Sequence, residues 1–267
     1  MEVLRRAANP WGQEVLVGIA WDLMWAALIV GIVFIVGHAL WYRMLPKSEP
    51  TAVDPTEAAA VPETVTRHDG LARTFHWLMS VAMLALLVTA FFPVVGIRFP
   101  WLTIHWVAGV ALVVLVAWHV VDSAVRQDFW SMWPGRQDLT EGMAMLRQIL
   151  SRSEGTGERA AKYPVDHKWY HHGIVAVGLA AIVTGLLMMV RIDTPLWTQN
   201  PYLLGDATWG VVYVVHGLSG VALITMVIAH VYFAIRPEKL WMTRSMIKGW
   251  ITRDEYLAHH DPEKWKV

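Results

Sequence analysis

Five apolar stretches, at roughly 16–42, 74–95, 102–124, 170–190 and 209–235, interrupt a chain of 267 residues whose charges fall almost entirely between them. Each holds about 20 residues or more, enough at about 1.5 Å per helical residue to cross a hydrocarbon core of about 30 Å. A segment surrounded by lipid must satisfy its own backbone hydrogen bonds, so it becomes a helix or part of a closed barrel. Barrel strands would be about 10 residues long with alternating polarity, and these runs are longer and apolar throughout. The fold class expected is all-α integral membrane, with five spans. Only 16% of residues are charged and 55% are hydrophobic, against about 25% charged in a soluble domain. Many of the tryptophans stand near the ends of the runs (Trp41, Trp77, Trp101, Trp106, Trp169, Trp209), at the depth of the lipid headgroups. The first run, which carries Asp22, is too long for a signal peptide, and no small-residue cleavage site precedes Arg43.

Lysine and arginine give the orientation. They gather in residues 43–73, in 125–169 and after Arg236, whereas 96–101 holds only Arg98 and 191–208 only Arg191. The positive-inside rule puts the three basic regions in the cytoplasm and the N-terminus outside, despite Arg5 and Arg6. A bacterial cytoplasmic membrane is the expected location. Zero net charge is no guide to partners, because the charges are sorted by side. Anionic lipid suits the basic regions, and no nucleic-acid partner is expected.

Residues 46–66 are rich in Pro, Ala and Glu and read as a cytoplasmic linker. They separate an N-terminal transmembrane helix (1–45) from a four-helix transmembrane domain (67–240), with a cytoplasmic tail at 241–267. Within 125–169, LTEGMAMLRQIL has the spacing of a short amphipathic surface helix, followed by a loop.

An imidazole inside a span is costly and rare, and by default marks a functional site. His216 and His230 lie in one run, HGLSGVALITMVIAH. Fourteen residues of helix separate them by roughly 21 Å and leave them within about 40° of one face. That separation suits the ligands of two stacked hemes, one near each side of a bilayer. With the orientation above, His105 shares a level with His216, while His76 and His119 compete to face His230. A lone intramembrane histidine often does no more than bond a neighbouring carbonyl, but four at matched depths on three helices exceed that role. The chain has no cysteine, which excludes an iron–sulfur cluster, a disulfide and CxxCH heme attachment within it. Gly109, Gly217 and Gly220 follow the candidate ligands and would let a macrocycle or another helix approach closely. The methionines read as packing residues. His38 reads as interfacial, and His68, His259 and His260 as solvated. His119 with His171 or His172 would be needed for a third heme.

RTFHWLMS around His76, LTIHWVAG around His105 and YVVHGLSG…VIAHVYFA around His216 and His230 resemble the cytochrome b (gamma) subunits of membrane formate dehydrogenases. The pattern is similar as well to related di-heme b cytochromes, including those of nickel–iron hydrogenases. The resemblance covers roughly 67–267, tail included. It implies a four-helix bundle with two heme b groups, one held by His105 and His216 and one by His76 and His230. His119 has no ligand role in that pattern and stays an alternative partner for His230. The resemblance also implies quinone reduction beside the second heme, by residues just before span four. Here that stretch is KYPVDHKWYHH, with Pro164 and His167 where the formate dehydrogenase subunits have Asn and Gln. Tyr163, Asp166, His167 and Lys168 are the candidates, since quinone reduction requires groups that relay protons.

The implied function is that of a membrane-anchoring subunit which carries electrons from a partner iron–sulfur subunit to quinone. The iron–sulfur subunit would be fed by a catalytic subunit holding molybdenum or tungsten, or nickel and iron, because this chain has no group to oxidise formate or hydrogen. Two alternatives stand beside it: a stand-alone di-heme cytochrome linked to quinol, and a heme-free transporter or structural subunit. Against the last, the only carboxylates within the spans are Asp22 and Asp122, both near span ends.

Overall fold

The computed structural model describes residues 2–44, 55–126, 129–151 and 159–267. In chain order these form β1 (Leu4–Ala8), β2 (Glu14–Ile19), α1 (Asp22–Arg43), α2 (Pro55–Ala60), β3 (Thr64–Thr66), α3 (Gly70–Phe91), α4 (Trp101–Val125), α5 (Arg136–Ser151), α6 (Val165–Met189), α7 (Asp206–Ile235), α8 (Leu240–Lys248), β4 (Trp250–Thr252) and α9 (Arg253–His259). Five of them, α1, α3, α4, α6 and α7, are long and apolar enough to cross a membrane. Val33, Val81, Val114, Val121 and Val183 are each more than half exposed on the isolated chain, as befits helices whose outer surfaces meet lipid. The chain is an all-α integral membrane protein, and its two small sheets lie outside the spans.

The chain divides into two compact units, each gathered from several stretches. The first comprises Met1–Phe34, Leu78–Ala117 and Gly173–Ala229. Its core is Met24, Ala27 and Ile224, with Leu87, Phe91 and Ile228 packed around them. The first apolar run was expected to begin as helix near residue 16, but EVLVGI instead forms β2, paired antiparallel to β1 from Leu4↔Ile19 to Ala8↔Glu14. Asn9 dictates this choice: its side-chain oxygen accepts from the backbone N–H of Trp11 (3.1 Å) and Gln13 (2.9 Å), closing the turn that folds the strands together. Helix begins only at Asp22, a carboxylate favourable to a helix N-terminus. The hairpin lies against α7. Leu16 packs on Gly210, Ile19 on Gly217, and Asn9 donates to Asp206 at 3.0 Å.

The second unit comprises Ile35–Trp77, Trp118–His172 and His230–Val267. Residues 46–54 of the expected linker lie outside the described residues, but its remainder forms α2 and β3. β3 pairs antiparallel with β4 (Thr64↔Thr252, Thr66↔Trp250), so the end of the linker and the tail make one small folded body. Val61, Val65, Trp241, Ile251, Tyr256 and Leu257 fill its core. Thr252 and Glu255 form a capping box that starts α9. Gly249 turns the chain into β4 with φ +94°, and any Cβ there would meet the His68 carbonyl oxygen at 2.9 Å. The expected amphipathic helix is α5, while the loop after it, 152–158, is outside the described residues.

His68, His259 and His260, all expected in solvent, are instead engaged in this body. His260 is fully buried, its Nε2 2.7 Å from Arg67 Nη1, and His259 stacks flat on Trp241 at 4.6 Å. Arg67 is itself 4% exposed and lies over the Trp241 ring at 5.1 Å. The apolar core drew them in: His260, beside Tyr256 and Trp265, packs its aromatic face and bonds through both nitrogens, Nε2 facing Arg67 and Nδ1 donating to the Ala161 carbonyl at 2.9 Å. Burial, reinforced by Arg67, lowers His260 to about 4 and His68 to about 3.

Candidate metal centres

Within the first unit, α4 brings His105 and α7 brings His216 to ring centres 6.2 Å apart, planes inclined at 73°. Within the second, His76 of α3 and His230 of α7 stand 6.2 Å apart at 46°. Among the described residues no group of three or more His, Asp or Glu gathers as for a bare metal ion. The imidazoles come in pairs, as for a metal whose remaining ligands are supplied by a macrocycle. The spacing can be tested against that idea. A metal–imidazole bond is about 2 Å and a ring nitrogen lies about 1.1 Å from its ring centre, so two rings on opposite sides of one metal have centres roughly 6.2 Å apart. Both pairs have that separation, so the residues present fit a heme, which His105 with His216, or His76 with His230, would hold.

The surroundings of the first pair were not read from the sequence. Thr89 of α3 stands 2.8 Å from His105 Nδ1, and Thr184 of α6 stands 3.0 Å from His216 Nδ1. His216 Nδ1 also lies 3.1 Å from the Ala181 carbonyl oxygen. Both threonines are buried. They are single polar residues in otherwise apolar runs, LLVTAFF and AIVTGLL, and that isolation was their only signal. A Cβ on Gly185 would come within 3.2 Å of His216 Cε1, so glycine there leaves the ring its place. Gly217, expected to admit a macrocycle or another helix, lies against Ile19 and seats the end of the hairpin.

Around the second pair, Tyr170 stacks beside His230 with ring centres 5.7 Å apart. The Trp77 indole donates to the Met246 carbonyl at 3.1 Å, fixing the residue next to His76. His119 lies flat against Phe75, 4.2 Å between ring centres, and Ser123 Oγ is 3.4 Å from its Nδ1. It is His76 whose ring faces His230. His171 and His172 lie edge to face at 5.5 Å, and His172 also meets Trp133. His38 sits between the Tyr232 hydroxyl and Arg236, each 3.0 Å from its Nδ1.

Matching the chain against known families gives prokaryotic cytochrome b561 over residues 67–249. The chain belongs to that family. It is therefore a multi-pass membrane cytochrome b that binds heme b and takes part in electron transfer, and the heme-free alternative falls away. No match was found among curated proteins. The matched stretch contains all four paired histidines and both threonines, and it leaves out the hairpin, α1 and the tail beyond Gly249.

The four quinone candidates of this cytochrome b are arranged unequally. Lys168 is held in an ion pair with Asp138 of α5 at 2.8 Å, both side chains largely buried. Burial pushes the Asp138 carboxyl up, but the bonds it accepts from Lys168 and Gly135 hold it below the usual range. Lys168 thus anchors α5, while Lys162 rests over the Tyr163 ring. Asp166, with Leu139, Gly142, Met143, Leu146, Val165 and Trp169, lines a largely apolar groove of about 390 Å³.

Proposed function

We propose that this cytochrome b561-family chain is the membrane-anchoring di-heme subunit of a respiratory oxidoreductase resembling formate dehydrogenase. His105 and His216 would hold one heme, His76 and His230 the other. The observation that carries the reading is the recurrence of one spacing, 6.2 Å, in two histidine pairs that share α7. Each heme, when bound, supplies a one-electron site. The histidines fix its position, and the apolar helices around it exclude water. With the N-terminus outside and the C-terminus in the cytoplasm, as the lysines and arginines favour, His105 and His216 lie on the side of an external iron–sulfur partner. His76 and His230 then lie beside the cytoplasmic face.

Quinone reduction belongs beside the second pair. Tyr163, Asp166 and His167 can supply hydrogen bonds and protons there, and the groove along α5 and α6 suits an apolar quinone tail. Lys168 contributes by holding α5 in place. A molybdenum, tungsten or nickel–iron catalytic subunit would feed the iron–sulfur partner.

The test is heme per chain by pyridine hemochrome assay. Wild type should hold two. His105→Ala, His216→Ala, His76→Ala and His230→Ala should each hold one, and His119→Ala two. Loss of a heme from His119→Ala with retention in His76→Ala would overturn the second pairing. For quinone, Asp166→Asn and His167→Asn should slow quinone reduction at full heme content; unchanged rates in both would remove those residues from the site.

A further inference from the structure

We infer that Thr89 and Thr184 accept hydrogen bonds from Nδ1 of the two first-pair imidazoles and thereby tune the reduction potential of the metal held between them. The inference rests on reading His105 and His216 as axial ligands. A threonine hydroxyl carries one proton and can accept elsewhere, whereas a carbonyl oxygen only accepts. Thr89 Oγ1 lies 2.6 Å from the Ala85 carbonyl oxygen and 3.0 Å from that of Leu86. Its one proton goes to these carbonyls, which leaves lone pairs toward His105 Nδ1 at 2.8 Å. Nδ1 must then be the donor.

The other side of the site repeats the logic. Thr184 Oγ1 gives its proton to the Ala180 carbonyl at 2.5 Å and receives from His216 Nδ1 at 3.0 Å. The Ala181 carbonyl oxygen, 3.1 Å from the same nitrogen, requires a proton on Nδ1 independently of the threonine. Both rings therefore present an Nε2 lone pair, the form in which imidazole binds a metal. A threonine in a membrane helix commonly bonds the carbonyl four residues back and nothing more. Here two buried threonines, on the two helices of this unit's matched bundle that carry neither ligand, each add a bond to a ligand's outer nitrogen.

The electronic consequence has a sign. An acceptor at Nδ1–H draws that proton outward and leaves Nε2 a stronger donor. A stronger donor favours the ferric ion, so each hydroxyl lowers the potential. Removing the Thr89 hydroxyl should raise the ferrous-to-ferric ratio at fixed applied potential about three- to tenfold, a tenfold change being 59 mV for a one-electron couple. Removing that of Thr184 should raise it less, because the Ala181 carbonyl still accepts from His216.

The experiment is a redox titration of the full chain, followed optically, with heme content measured in parallel. Thr89→Val and Thr184→Val keep the side-chain shape; Thr89→Ser and Thr184→Ser keep the hydroxyl. Support is two hemes per chain, one of the two potentials raised in each Val variant, the other unmoved, and wild-type values in the Ser variants. Full heme with both potentials unchanged in the Val variants overturns the inference, as does a Ser variant that shifts as far as its Val counterpart. Should Val remove the heme itself, the Ser variants decide: full heme at wild-type potential supports the hydroxyl, and loss in Ser too assigns the position to packing and overturns it. His105→Ala and His216→Ala separate the two readings. If both retain two hemes the ligand assignment fails; if each loses one while the Val potentials stay flat, only the threonine inference does.

Discussion

Gly210→Ala isolates the contact that holds the N-terminal hairpin to α7. A Cβ at this position would lie 2.6 Å from Leu16 Cβ, 2.8 Å from the Leu16 carbonyl oxygen and 3.3 Å from its carbon. Carbon atoms pack best about 3.5–4.0 Å apart, so the hairpin backbone must retreat by about 1 Å. Overpacking of that kind costs about 1–3 kcal/mol, and here the obstacle is backbone, which has no rotamer to change. Alanine is better than glycine in a helix interior by about 0.5–1 kcal/mol. The net is a loss of about 1–2 kcal/mol from hairpin docking, equivalent to a roughly 5–30-fold larger population of detached hairpin. Gly178, in α6, is the control: nothing lies within 4 Å of its Cβ, so alanine there should be neutral or stabilising. Hydrogen exchange of residues 2–21, with the protein in lipid nanodiscs, reads the result. Exchange in Gly210→Ala as slow as in wild type, with Gly178→Ala also unchanged, would refute the docking geometry.

Other sites give independent checks. Gly185→Ala should press on the His216 ring at 3.2 Å and alter the spectrum or retention of the heme proposed to be held there, seen in a reduced-minus-oxidised difference spectrum. Asp138→Asn should loosen α5 by about 1–3 kcal/mol, because it leaves a largely buried ammonium unpaired; proteolysis within 136–151 would report it. The Asp138 carboxyl is held below its ordinary value of 3.8, so the pair's contribution is present above that value and fades as pH falls through the depressed one. Wild type and Asp138→Asn should therefore converge in strong acid. His260 titrates at about 4 when folded against an ordinary 6.5. Its lowered value means that the unfolded tail binds the proton more tightly, so the tail is most stable above 6.5 and weakens as pH drops toward 4. His260→Gln should flatten that dependence in the tryptophan fluorescence of Trp241 and Trp265.

What the sequence made legible follows from the length of each signal. Spans of 22 to 30 residues announce themselves by composition, since lipid leaves the backbone no alternative to helix. His216 and His230 share one helix, so their fourteen-residue spacing could be turned into distance without knowing any contact. Choosing between His76 and His119 could not, because it depends on how α3 and α4 are rotated about their axes, and spacing within one helix carries no such information. Thr89 and Thr184 were hidden for the same reason: a bond between helices has no periodicity. The hairpin was masked by its own hydrophobicity, EVLVGI continuing smoothly into the apolar run of α1. His260 was misjudged because a tail of mixed polarity gives no sign that Val65 and Ile251, nearly two hundred residues apart, share a core.

That core bears on the second histidine pair, although the family match stops at Gly249. The backbone N–H groups of Arg67 and His68 both donate to the Gly249 carbonyl, at 2.9 and 3.0 Å. Arg73 donates to the Ile247 carbonyl at 2.6 Å, and Trp77, next to His76, to that of Met246. The first two turns of α3 are thus tied at several points to the end of α8, and β4 and α9 hold that end in place. Ile251 is 0% exposed at the centre of this body. Ile251→Ala should cost about 2–5 kcal/mol, enough to melt so small a core, whereas Ile251→Val should cost about 0.5–1.5 kcal/mol and leave it folded. With the tail melted, His76 loses the anchors of its helix end, and the heme proposed to sit between it and His230 should loosen or shift in potential while the one proposed for His105 and His216 is unmoved. An Ile251→Ala protein whose tail is cut readily by protease, yet which keeps two hemes at wild-type potentials, would show that the tail does not support the site at all.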